Sequence, residues 1–118
     1  MTKKSSVKNL VKKIVKNLEE SKGFNIEIFN VKNRSALADF MIIVSGTSSR
    51  HINAIVNNVV KSNKKNVIST EGLKSTDWLI VDFGDIILNV FKPEMREHYA
   101  LEKIWKDNDL KDEKVGFG

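Results

Sequence analysis

The chain has 118 residues, 41% of them hydrophobic, which suits one domain with a modest core. It holds no cysteine, and its only histidines are His51 and His98, so disulfides, thiolate chemistry and a histidine-rich metal centre are excluded, although a carboxylate magnesium site is not. The formal net charge is +5, and the excess lies wholly in residues 1–22, where seven lysines face Glu19 and Glu20; this fits attraction to a polyanion as well as it fits a solvated helix face.

Residues 5–21 read as a helix, with Val7, Leu10, Val11, Ile14 and Leu18 on one face and Lys8, Lys12, Lys13 and Lys16 elsewhere. Gly23 is the expected stop. The segment is too polar for a secretory signal, and no run in the chain approaches the ~18 apolar residues of a membrane span. The expectation is therefore a cytoplasmic protein with no membrane partner. A short strand over 25–31 precedes a longer one over 38–45, whose run Met41, Ile42, Ile43 and Val44 is apolar on both faces and favours a central position. Gly46 and the hydroxyls of Thr47, Ser48 and Ser49 then turn the chain into a helix over 50–64, with Ile52, Ile55, Val56, Val59 and Val60 inward and Asn57 and Asn58 toward solvent.

A short strand is expected over 67–69, followed by a polar loop through Lys74, Ser75 and Thr76. Residues 78–83 and 86–91 form an antiparallel hairpin reversed at Gly84. Trp78, Ile80 and Asp82 share one face of its first strand. Pro93 opens a closing helix that takes in Tyr99, Leu101, Ile104 and Trp105. The folded domain is expected over 1–107, with a flexible charged tail over 108–118.

Few motifs carry chemistry. The Gly46–Ser49 turn lacks the glycine spacing of nucleotide-binding loops, so its hydroxyls read first as helix caps. Asp39, Asp82 and Asp85 would have to converge to hold a metal for nucleotidyl transfer, yet no D-x-D pair occurs. His51 has no assignable nucleophile beside it. Trp78 is the better clue. A tryptophan is ordinarily core, but at an interface it is a strong anchor, and Ile80, Met95 and Tyr99 extend such a patch.

Four blocks then stand out: ADFMIIVSGTSSRH at 38–51, EG at 71–72, DWLIVDFGDIILNVF at 77–91 and YALEKIW at 99–105. Together they resemble the ribosomal silencing factor S, or Iojap, family. The resemblance implies a single-domain α/β fold, a mixed β-sheet with packed helices that is nucleotidyltransferase-like, with no established transferase role, no cofactor and no metal. It implies a translational repressor that binds the large ribosomal subunit through its fourteenth ribosomal protein and sterically blocks joining of the small subunit. It also implies a homodimer in some free members, through an overlapping surface.

On this resemblance Trp78 is the partner-facing anchor, with Ile80, Met95 and Tyr99 around it. Asp39, Ser48, Arg50, His51 and Glu71 serve as rim or structural residues. The basic first segment departs from the acidic or balanced start of better-known members and places ribosomal RNA contact on Lys8, Lys12 and Lys13. A metal-dependent nucleotidyltransferase and a general RNA-binding module are the alternatives.

Overall fold

The computed structural model describes residues 3–33, 38–73 and 77–95. Helix α1 (Lys3–Glu20) leads into strand β1 (Phe24–Asn30) and strand β2 (Phe40–Ser45). Helix α2 (Ser49–Ser62) is followed by β3 (Ser69–Leu73), β4 (Trp78–Asp82) and β5 (Ile86–Phe91), and residues 93–95 begin a further helical turn at Pro93. The strands form one five-stranded sheet in the order β1-β2-β5-β4-β3. Only the β2–β5 pair is parallel. The apolar run of β2 lies between two neighbours, as a strand buried on both faces should.

Strand alternation divides the apolar residues between two faces. Ile42, Val44, Val81, Ile86, Leu88 and Val90 pack against Val7, Val11, Ile14 and Leu18 of α1 and Ile52, Ile55, Val56 and Val59 of α2. Most of these side chains are fully buried, and each contributes about 1.5–3 kcal/mol on leaving water. Phe29, Ile43, Trp78 and Phe91 point the other way and gather with Val31 into a second cluster.

The two helices run antiparallel, because Ser21 meets His51 while Asn17 meets Asn63. An amide network closes the seam. Asn58 donates to the Asn17 carbonyl at 3.1 Å and to Ser21 Oγ at 2.8 Å, and Asn63 donates to Asn17 Oδ1 at 2.9 Å. Asn58 therefore faces α1, not solvent as its place in the sequence suggests.

The end of α1 also differs from expectation. Gly23 donates to the Leu18 carbonyl at 2.8 Å and Lys22 to that of Glu19 at 3.0 Å, the double hydrogen bond of a Schellman stop. The left-handed residue is Lys22, at φ 64. Gly23 is needed for close approach, since a Cβ there would stand 2.8 Å from Val44 Cγ2. Lys22→Gly is accordingly expected to stabilise the protein by about 0.5–1 kcal/mol, read as a rise in the urea midpoint. An unchanged or lower midpoint would contradict the assignment.

One expectation is corrected. The mixed sheet and packed helices are present, but the nucleotidyltransferase-like description does not hold. The sheet is open, and the carboxylate of Asp82 is used by a backbone turn. Asp82 Oδ1 accepts from the Gly84 N–H at 2.7 Å and shapes the β4–β5 reversal, where Gly84 has φ 90. The Asp85 carbonyl accepts from the N–H groups of Asp39 and Phe40. Among the described residues no group of three or more His, Asp or Glu side chains is placed to hold a metal ion.

Candidate functional site

The turn after β2 is a structural clamp. Ser48 is extended (φ −152, ψ 170), and its Oγ accepts from the His51 N–H at 3.1 Å, capping α2. Gly46 permits the close turn, because a Cβ would lie 2.9 Å from Ile52 Cγ1. Thr47 N–H donates to His51 Nδ1 at 2.8 Å. That fixes the ring proton on Nε2, which donates to the Ser21 carbonyl at 2.7 Å. Both ring nitrogens are thus engaged, and His51 ties the start of α2 to the end of α1 instead of acting as a base.

Asp77 makes a second tie. Its Oδ1 accepts from Ser49 Oγ at 3.1 Å and pairs with Lys92 Nζ at 3.1 Å. The hydrogen bond from Lys92 holds its carboxyl below the usual carboxylate range, against partial desolvation and with help from Ser49 and the Lys92 charge. A depressed folded pKa adds stability that is complete above the unfolded value, about 4, and is lost as the pH falls through the folded value. Asp77→Asn should therefore lose less stability than the parent between pH 7 and pH 3. Urea melts at both pH values check this, and parallel losses would contradict it.

The sheet face away from α1 and α2 has the character of a binding surface. The register sets three rows of same-face neighbours across it. Glu71, Ile80, Asn89, Ile43 and Glu27 form the middle row. Trp78 and Phe91 lie on one side, with ring centroids 5.2 Å apart. Asp82, Ile87, Met41 and Phe29 lie on the other. At the centre, Trp78 Nε1 donates to Asn89 Oδ1 at 3.0 Å, and both residues are buried. Met41, Ile80 and Met95 are half-buried against this cluster.

Trp78 is only 8% exposed. It forms the floor of this face, and Ile80 and Met95 present the apolar surface above it. Tyr99 lies outside the described residues, as do the expected closing-helix contacts and the 108–118 tail. Glu71 is exposed directly opposite Ile80. Arg50 is exposed on the first turn of α2.

Asp39 lines a small recess with Lys8 and Lys32. The expected basic trio is thereby divided, since Lys13 lines a different recess. The sequence places no functional weight on Asn89. Its only signal was a polar residue between Leu88 and Val90 in an otherwise apolar strand, and its partner depends on a register the sequence does not print.

The described residues thus form a small α/β domain with two helices on one sheet face and an apolar centre with acidic neighbours on the other. The profile described as "Ribosomal silencing factor during starvation" matches residues 4–116, and the chain belongs to that family. It is 35% identical over 109 residues to the ribosomal silencing factor RsfS of Zymomonas mobilis, covering 90% of this chain and 82% of that one. It is 38% identical over 99 residues to the RsfS of Haemophilus influenzae, covering 81% and 97%. A crystal structure of a Chromobacterium violaceum protein superposes with a TM-score of 0.78 at 29% identity, over 84% of this chain and 85% of that one. Membership supports a general role in ribosomal silencing, that is, in repressing translation. Among the described residues no helix is long and apolar enough to cross a membrane.

Proposed function

We propose that the chain represses translation by docking on the large ribosomal subunit through its fourteenth ribosomal protein, so that its body obstructs the incoming small subunit. The observation that carries this reading is the sheet face that α1 and α2 leave uncovered among the described residues. Half-buried Ile80, Met95 and Met41 surround the buried Trp78–Asn89 pair, while Glu27, Glu71 and Asp82 stand on the same face. An apolar centre with a polar rim is the usual build of a docking site. The acidic rim suits a protein whose own RNA-binding duty makes it basic.

Repression would follow from occupied space, with no substrate transformed and no cofactor needed. The family description points to starvation as the occasion. A free homodimer would cover the same apolar face and give way to the ribosome by competition.

Titration of the isolated fourteenth large-subunit protein tests the partner. The expected result is saturable binding that intact large subunits compete away. Binding to large subunits without binding to the isolated protein would reject this contact.

A further inference from the structure

Beyond the docking face, the end of the helical layer holds a second site. A recess of about 360 Å³ is lined by Lys13 of α1 together with Lys61, Lys64 and Lys65 at and beyond the end of α2, with Asn63 and Asn66 between them. All four lysines are exposed, and among the described residues no carboxylate lines the recess. One lysine in the last turn of α2 is sufficient to complement the helix dipole. That need does not account for two more past its end, or for a fourth brought in from another helix. Ammonium groups gathered without a counter-charge repel one another, and a bound anion relieves that repulsion.

We infer that this recess binds the phosphodiester backbone of an RNA strand, as a contact separate from the open sheet face. The choice of RNA rests on the ribosomal reading above, since a large subunit presents RNA phosphates on much of its surface. Lys16, one turn along the same helix from Lys13, is also exposed and extends the positive surface. Among the described residues no aromatic side chain lines the recess, which favours contact with the backbone irrespective of sequence over base stacking. An anionic membrane is the poorer partner, because among the described residues no apolar anchor accompanies the lysines in the recess. The sequence placed RNA contact on Lys8, Lys12 and Lys13. The recess keeps Lys13 and adds three lysines that are distant in the chain.

The test uses the full chain carrying Lys61→Gln, Lys64→Gln and Lys65→Gln together. These are surface changes; losing Lys61 from the last turn of α2 should lower the melting temperature slightly, and circular dichroism at the assay temperature checks that the variant is folded. Filter binding to a uridine dodecamer, over a series of salt concentrations, reads the site directly. The parent should bind, and the triple variant should bind about tenfold more weakly at low salt. Its log-affinity against log-salt slope should be shallower by about 2, from roughly 0.7 per lost phosphate contact.

Equal affinity and slope in parent and variant would overturn the proposal, as would no RNA binding by the parent. Displacement of the RNA by inorganic phosphate at matched phosphate concentration would reduce the recess to a small-anion site and overturn it. So would tighter, lysine-dependent binding to phosphatidylglycerol vesicles. A parent that binds the dodecamer but not large subunits would refute the ribosomal reading and leave the recess assignment standing.

Discussion

Trp78→Ala is expected to remove about 3–5 kcal/mol of folding stability. That is a large part of the roughly 5–15 kcal/mol that holds a domain together. The indole lies on Phe91, within a cluster that includes Phe29 and Ile43, and its N–H is satisfied by Asn89. Truncation opens a cavity and strands the Asn89 amide.

Two further variants separate these effects. Trp78→Phe keeps a ring against Phe91 and should cost less than the alanine. Asn89→Ala leaves the buried indole N–H without its partner and should cost about 1–3 kcal/mol. Urea unfolding followed by circular dichroism gives all three values. A loss below about 1 kcal/mol for Trp78→Ala would mean that the ring is not a floor of the fold. If the large loss is found, weaker ribosome binding by that variant says nothing about the interface alone.

Ile80→Glu is the cleaner interface probe. Ile80 is half-buried and stands between Glu71 and Asn89 on the open face. A carboxylate there places like charge beside Glu71 and a charged group in the middle of the proposed contact. Central interface residues commonly carry 2 kcal/mol or more, so affinity for large subunits should fall about thirtyfold or more. Folding stability should fall far less than for Trp78→Ala. Asn57→Glu, exposed on the outer side of α2, is the control and should bind as the parent does. Co-sedimentation at increasing protein concentration measures both. Equal affinity of Ile80→Glu and the parent would move the contact away from this face.

Much of the fold was legible because local signals and burial agree. The run Met41–Val44 marked a central strand, Ser48 capped the helix it was placed to cap, and Gly84 turned the hairpin with positive φ. What was not legible depends on pairing over distance. Asn58 looked solvent-facing until α1 lay across it. Lys22 takes the left-handed position of the helix stop, while Gly23 beside it admits Val44.

For the site, residue type alone left Trp78 open between core and anchor. The structure buries the indole, with Ile80 and Met95 half-buried against the same cluster. The nucleotidyltransferase-like description came from the family resemblance, and the open mixed sheet does not support it. Asp39, Asp82 and Asp85 look like a carboxylate set when written along the chain, but Asp82 spends its side chain on a turn.

The central claim is that this protein keeps ribosomal halves apart by occupying the face on which they meet. Purified large and small subunits, mixed under joining conditions and resolved on a sucrose gradient, test it most directly. Saturating folded protein should leave the subunits in separate peaks and travel with the large one, while the Ile80→Glu protein should let the joined particle form. A full yield of joined particles in the presence of the parent protein would contradict the account.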